Sequence, residues 1–343
     1  MLLDGHDPQA IAQAAATLAA GDLVALPTET VYGLGGRADD DAAVAKIFAA
    51  KGRPADHPLI VHVLDVADAE RFAAQIPPVA RRLMDAFWPG PLTVIVKRKP
   101  AMAAAAAGGQ DSIGLRSPAH PVARALLAAA RERGVLGVAA PSANRFGRVS
   151  PTQAQHVVDE FEPGLVVLDG GACEVGIESS IVDCSRARPV LLRPGILTPA
   201  QIEAAMGEPL SLDGSTLAGV DGVDGGPAAA VAEAAPRASG TLVAHYAPRA
   251  IVRLLDTPTL RQKLSAALPV GLAVYSRVDL AGQPVLWRQM PEAAKATAHE
   301  LFAVLRDLDA AGAAQIWIEL PPPDSAWDGV RDRLSRAAAA FEA

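Results

Sequence analysis

At 343 residues, the chain has the length of about two globular units of roughly 100 to 200 residues, each able to bury a core. Half of the residues are hydrophobic, but only 4% are aromatic and the apolar count leans on alanine; with no apolar run of about 20 residues, a membrane span is excluded. Lys plus Arg number 31 against 38 Asp plus Glu, a net charge of −7, which argues against nonspecific, charge-driven nucleic-acid binding but permits a small anion in a local basic pocket. Cys173 and Cys184 are too few for a four-cysteine zinc site or a disulfide framework and read as buried thiols. Met1 to His6 shows no basic region ahead of an apolar stretch, so a cytoplasmic protein is expected.

Asp7-Pro8 opens a predicted helix that stops at Gly21, with Asp as N-cap and Pro at the first helical position. A strand over 23–26 follows, then a helix over 40–50, a strand over 59–63, helices over 65–75 and 77–87, and a strand over 92–97. Further strands are expected over 112–116, 136–139, 165–168, 180–183 and 190–192, with helices over 120–133, 152–161 and 199–206. This interleaving predicts an α/β domain over residues 1–206. Residues 207–249 turn to Gly, Ala, Asp, Pro and Ser with no sustained period and read as a linker. Strands over 251–255, 271–275 and 316–320, with helices over 291–311 and 326–341, give a second, small α/β domain over 250–343.

Gly33-Leu34-Gly35-Gly36-Arg37-Ala38 is a weak match to a dinucleotide fingerprint, because six residues separate it from the strand before it and the next helix starts only near Asp40. The common NTPase, zinc-protease and hydrolase signatures are absent. Polar residues gather instead at strand ends and in loops. Pro27 to Gly35 ends a strand in hydroxyls and small residues that let a ligand reach the backbone. Lys51-Gly52-Arg53-Pro54 sets two cations near a glycine and a proline, suited to a polyphosphate. Arg116 closes a strand, where open α/β sheets collect ligands. Pro141-Ser142-Ala143-Asn144, Glu178-Ser179-Ser180 and Leu192-Arg193-Pro194-Gly195 repeat the arrangement. His62, inside an apolar strand, reads either as a core histidine or as a ligand contact. Together these loops describe one pocket with at least four cations and several neutral donors.

These motifs in this order, with Pro58-Leu59-Ile60-Val61-His62 and Trp88-Pro89-Gly90-Pro91-Leu92-Thr93, resemble the YrdC-like family of threonylcarbamoyl-adenylate synthases. The resemblance spans about residues 8 to 206. It extends to the long, two-domain form through His245-Tyr246-Ala247-Pro248, which looks like that form's linker signature. It implies a twisted mixed sheet with a basic concave face, followed by a small Rossmann-like domain. It further implies a nucleotidyltransferase that makes threonylcarbamoyl-AMP and pyrophosphate from L-threonine, bicarbonate (or CO2) and ATP with Mg²⁺. Separate machinery would then pass the threonylcarbamoyl group to tRNA. Carried over residue by residue, Thr30, His62, Arg116, Ser180 and the main chain at Ala140 would hold threonine. Arg53, His57, Ser112, Ser142, Asn144, Ser150, Arg193 and Tyr246 would hold ATP, with Lys51 and Arg53 acting on the phosphates; no residue is expected to form a dedicated metal cage. Position 57 is commonly Asn in relatives, and the segment 238–244 lacks their usual Pro-Gly-Met.

The alternative from another class is a double-stranded-RNA or tRNA-binding module without catalysis, using Arg81, Arg82, Lys97, Arg98, Lys99, Arg145 and Arg148. Against it, acidic residues outnumber basic ones over residues 1–206, so any patch is local and tRNA binding is weak at most. A further expectation is that the linker, rather than the body of the second domain, completes the active site as a lid carrying Tyr246.

Overall fold

The computed structural model describes residues 1–212 and 235–342; the Asp221-Gly222-Val223-Asp224-Gly225 stretch of the expected linker lies outside them. The first sheet is built from β1 (Leu2–Asp4), β2 (Val24–Leu26), β3 (Gly33–Arg37), β4 (Ile60–His62), β5 (Leu92–Lys97), β6 (Ser112–Arg116), β7 (Val138–Ala139), β8 (Val166–Asp169), β9 (Ser180–Asp183), β10 (Val190–Arg193) and β11 (Ser211–Leu212). Their order is β1-β8-β2-β3-β7-β4-β6-β5-β9-β10-β11, with parallel and antiparallel neighbours mixed. Helices α1 (Pro8–Ala19), α2 (Asp41–Lys51), α3 (Val66–Phe72), α4 (Pro78–Phe87), α5 (Pro121–Glu132), α6 (Ala154–Val158) and α7 (Pro199–Met206) connect them. As expected, Asp7 caps α1 by accepting from the Gln9 N–H, and Pro8 occupies its first position.

β3 departs from the expectation of a loop. Three glycines in five residues carry almost no strand propensity, yet this segment pairs antiparallel with both β2 and β7. The reason is crowding: a Cβ on Gly35 would lie 2.8 Å from Val138 Cγ1 and 2.9 Å from Leu26 Cδ2. The glycines therefore serve close packing within a sheet, and they form no strand-to-helix turn of the kind a dinucleotide fingerprint needs.

The second sheet holds β12 (Ile251–Leu255), β13 (Leu272–Ser276), β14 (Leu286–Gln289) and β15 (Gln315–Glu319), all parallel in the order β12-β15-β13-β14. Helices α8 (Thr257–Leu264), α9 (Ala294–Ala310) and α10 (Asp328–Ala339) complete the Rossmann-like unit. The two units are not separate beads. One apolar cluster joins Val31, Val149 and Ile177 of the first to Tyr246 and to Phe302, Leu305 and Val330 of the second. This continuous core fixes α9 and α10 behind the loops described next.

Candidate active site

Between the ends of β4, β6 and β10 and the loops that follow β2 and β7 lies a cleft enclosing about 510 Å³ of empty space, its open mouth included. Strand register explains one wall. β4 and β6 are parallel, with His62 opposite Arg116, so both side chains project from the same face. Thr28 turns the chain after β2: its hydroxyl donates to the Val31 carbonyl at 2.6 Å, accepts from the N–H groups of Thr30 and Val31, and meets the Thr30 hydroxyl at 2.8 Å. That turn presents Thr30 to the cleft beside His62, Arg116 and Ala140. The Arg116 Nη2 lies 2.7 Å from Glu29 Oε1, out of line for a hydrogen bond, so both buried atoms keep an unmet valence.

The opposite end is cationic. Arg53 and Arg193 line it with Ser142, Glu178, Ser179, Ser239, Gly240, His245 and Tyr246. Arg193 donates through Nε to the Ser179 carbonyl at 3.0 Å, and through Nη2 to the Ser179 hydroxyl at 3.2 Å. Its Nη1 donates to the Ser239 carbonyl at 2.7 Å, and Arg53 Nη2 reaches the Ser239 hydroxyl at 3.4 Å. The segment before Tyr246 thus crosses the mouth of the cleft. Gly240 makes the crossing possible, with φ of +73° and a position where a Cβ would come within 2.3 Å of the Tyr246 hydroxyl. Burial lowers Arg53 to about 10 and lowers Arg193 as well; burial likewise pushes the Tyr246 phenol up to about 12, so it remains a donor.

Not every expected residue lines this cleft. Lys51 is buried behind it, its ammonium donating to the carbonyls of Ser142 at 2.6 Å and Asn144 at 2.5 Å; burial and the neighbouring Arg53 depress its pKa well below the usual lysine value. It holds the 142–144 loop in shape. Asn144 faces the carbonyls of Arg145 and Arg148. Ser150 donates to Glu178 Oε1 at 2.5 Å, and Ser180 is buried beneath the lining. Ser112 lines an adjoining, mostly apolar pocket with Ile60, Ile95, Ile181 and Ala238. His57 meets the edge of Phe146 at 5.5 Å between centroids. Thr28 and Glu178 also line the cleft; they lie in the Pro27 to Gly35 and Glu-Ser-Ser runs singled out in the sequence but were not expected individually as contacts, and Ser239 and Gly240 were not expected as contacts at all.

The small domain grips the back of the site. Arg333 on α10 donates to Glu178 Oε2 at 2.8 Å and to the Pro194 carbonyl at 2.8 Å. Arg306 on α9 donates to the Val149 carbonyl at 2.5 Å. The Tyr246 ring stacks on Phe302 at 5.5 Å. In keeping with the expectation for the linker, Ser239, Gly240, His245 and Tyr246 line the cleft and no described residue of 250–343 does; what the expectation left out is that the body of the second domain backs Tyr246, whose apolar ring finds its cover there.

The cations considered for RNA contact are already engaged. Arg81 pairs with Glu70, Arg82 with Glu208, Lys97 with Asp111, Arg145 with Glu162 and Arg148 with Asp309. Arg98 donates to the carbonyls of Lys99, Pro100, Met102 and Gln110, and Lys99 to that of Glu70.

Comparison with known proteins decides the family. Residues 16–195 match a family model described as telomere recombination, of the Sua5, YciO and YrdC group, and residues 197–339 match one described as threonylcarbamoyl-AMP synthase, C-terminal domain. Over 333 residues the chain is 35% identical to the threonylcarbamoyl-AMP synthase of Pyrococcus abyssi, covering 94% of this chain and 92% of that one. The chain belongs to the threonylcarbamoyl-AMP synthase family. It is also 47% identical to the threonylcarbamoyl-AMP synthase of Bacillus subtilis over 213 residues, which span 62% of this chain and 60% of that relative. The Pyrococcus abyssi Sua5 structure complexed with L-threonine aligns with a TM-score of 0.82 at 33% identity, over 97% of this chain and 95% of that one. Threonylcarbamoyl-AMP synthesis, a nucleotidyl transfer, is accordingly the activity of the chain, and the noncatalytic RNA-binding alternative finds no support among these relatives. No helix among the described residues is long and apolar enough to cross a membrane.

Two buried histidines in this synthase fold carry a pH consequence. Burial, with Arg116 adding repulsion, lowers His62 to about 3. Burial, with Arg53, Lys51, Arg193 and Arg333 adding repulsion, holds His245 well below its ordinary value. In the unfolded chain both titrate near 6.5, so below that pH the unfolded state binds more protons. The stability that these neutral imidazoles contribute is fully present above about pH 6.5 and is lost as the pH falls toward their folded values, by up to about 1.4 kcal/mol per pH unit each. Urea denaturation from about pH 7 to about pH 5 is expected to show this fall. A flat midpoint across that range would mean that the two rings are solvated enough to charge in the native state.

Proposed function

We propose that the cleft binds L-threonine at its Arg116 end and ATP at its Arg53 and Arg193 end, and there joins them through a carbamate. The observation that carries this reading is the gathering of unmet buried polar atoms around one cavity: Arg53 Nε, His62 Nδ1, Arg116 Nη2, His245 Nδ1 and the Tyr246 hydroxyl. Buried polar atoms without partners are costly, and a ligand rich in anionic and hydroxyl oxygens would satisfy them. Arg116 would fork onto the threonine carboxylate. Thr30 and His62 would meet the hydroxyl and amine, and the close approach of Ala140 would pack the methyl. The relative solved with L-threonine supports the presence of an amino-acid site.

In the reaction, the threonine amine adds to carbon dioxide from bicarbonate and loses a proton, giving a carbamate. A carbamate oxygen then attacks the α-phosphorus while pyrophosphate leaves. Arg53 and Arg193 would balance charge on the phosphates, and the Tyr246 hydroxyl would donate to a phosphate or ribose oxygen. Positioning and water exclusion by the 239–246 segment are what the protein supplies. Mg²⁺ would enter with ATP on the phosphate oxygens. Glu29 and Glu178, the carboxylates beside the cleft, face Arg116 and Arg333, and no group of three or more ligand-type side chains is present among the described residues. We further propose that residues 1–206 form the catalytic domain, 207–249 its covering segment and 250–343 the small domain, that the protein acts in the cytoplasm, and that separate machinery transfers the product's threonylcarbamoyl group to tRNA.

The test is pyrophosphate release by the purified protein with ATP, Mg²⁺, bicarbonate and L-threonine, the product followed by mass spectrometry. Release is expected to need threonine and bicarbonate together, with a mixed anhydride appearing at equal yield. Serine is expected to serve less well, by the roughly 1 to 3 kcal/mol that one packed methyl group is worth. Equal release with either cosubstrate omitted would refute the reading.

A further inference from the structure

Among the small-domain side chains that back the site, Arg333 makes contacts to several parts of it at once. Arg333 has a side chain with no exposed surface and lies on α10, yet its guanidinium touches three separate parts of the cleft. Nε donates to Glu178 Oε2 at 2.8 Å, and Nη2 to the Glu178 carbonyl at 3.2 Å. Nη1 donates to the carbonyl of Pro194, the residue directly after Arg193, at 2.8 Å. Its Cζ sits 5.4 Å from the centroid of the Tyr246 ring. Asp332, the neighbour in sequence, accepts from Nη1 at 2.7 Å and balances part of the charge.

These contacts converge on the nucleotide end. The turn that Arg333 grips at Glu178 is the same turn whose next residue, Ser179, receives two hydrogen bonds from Arg193. Arg333 thus fixes the Arg193 strand end on the Pro194 side while fixing Arg193's own anchor on the Glu178 side. Glu178 in turn fills its other oxygen with the Ser150 hydroxyl. Burial favours the neutral acid, but Arg333, Arg193 and that hydrogen bond outweigh it and hold the carboxyl below its ordinary range, so the clamp is ionic. His62, Arg116 and Thr30 at the far end are not among its hydrogen-bond partners.

We propose that Arg333 is a positioning residue for the nucleotide, by which the small domain sets Arg193, Glu178 and Tyr246 in register for phosphoryl contact. This rests on the placing of ATP at the Arg53 and Arg193 end. An arginine is required because four acceptor atoms in different directions need a planar fork, which a lysine ammonium at the end of a single stem cannot reproduce.

The test compares Michaelis constants for ATP and threonine, with melting temperatures, in Arg333→Lys, in the apolar pair Glu178→Met/Arg333→Met, and in Arg193→Ala. Arg333→Lys keeps the charge. It is expected to melt close to the parent, to raise the ATP constant by about 10- to 100-fold and to leave the threonine constant nearly unchanged. The apolar pair is expected to stay folded, since a buried ion pair can be exchanged for apolar groups at little cost, while keeping the raised ATP constant. Parental constants in Arg333→Lys, equal shifts in both constants, or an apolar pair with parental ATP use would each overturn the role and leave Arg333 a structural contact. Arg193→Ala separates the two levels: if it raises the threonine constant rather than that of ATP, the placing of the nucleotide is wrong, whatever Arg333 does.

Discussion

Ending the chain after Arg249 is expected to reduce threonylcarbamoyl-AMP synthesis by at least about 100-fold, although every residue lining the cleft is retained. A displacement of about 1 Å in a positioned group already costs on the order of 100-fold, and this truncation releases several groups at once. Tyr246 loses Phe302 beneath its ring and Arg333 beside it. Glu178 loses the guanidinium that pairs with it. The strap across the mouth loses Arg336, which donates to the Leu242 carbonyl at 2.5 Å and accepts from the His245 N–H at 3.1 Å. If the linker acted as a lid without the small domain behind it, a fragment keeping Tyr246 would outperform one ending at Met206. The packing predicts instead that the two fragments are similarly inactive, because an aromatic ring without its cover does not hold a pose. Pyrophosphate release by the two fragments and the full chain, measured at equal concentration of folded protein, decides it. More than about a tenth of full activity in the longer fragment would show that the small domain is dispensable.

What could be read from the sequence follows from how local each signal is. β5, β6, β9 and β12 have the bounds expected, since runs such as Leu92 to Lys97 combine β-branched residues with clear ends. β1, β3, α8, β11 and β14 are not among the expected elements. β3 is glycine-rich, and its strand character comes from neighbours on both sides. α8 opens with Thr257-Pro258, its N-cap Asp256 marking the start, and has one buried residue, Leu260, so its apolar periodicity is faint. β14 is mostly exposed and is held by β13 alone. At the site, residues at strand ends were legible as ligand contacts because a charge there has few other uses. The resemblance gives Ser150 to ATP and Lys51 to its phosphates; in the structure Lys51 donates to the carbonyls of Ser142 and Asn144, and Ser150 to Glu178. Sequence order cannot distinguish a donor facing a cavity from one facing the loop behind it. Arg333 gave no sign, since an arginine on a charged helix face reads as solvated until the packing of α10 against residues 178 and 194 is known.

Arg116→Ala is expected to have two separable effects, each large. The first is kinetic: without the guanidinium, the threonine carboxylate loses a charged, two-point contact in a buried site, and the threonine Michaelis constant is expected to rise by at least about 100-fold while that of ATP changes little. The second concerns stability. Glu29, with a side chain 8% exposed, keeps only the Ala119 N–H, at 3.0 Å on Oε2, as a hydrogen-bond partner. An uncompensated buried charge of that kind typically costs about 3 to 5 kcal/mol. Adding Glu29→Gln removes the charge, leaves an amide oxygen to accept from Ala119, and is expected to restore most of the denaturation midpoint. It cannot restore threonine use, because no cation returns. Steady-state kinetics and urea denaturation of the single and double variants therefore report on different roles of one residue. Recovery of the threonine constant together with the midpoint would show that Arg116 serves only to neutralise Glu29 and that the amino-acid carboxylate is received elsewhere in the cleft.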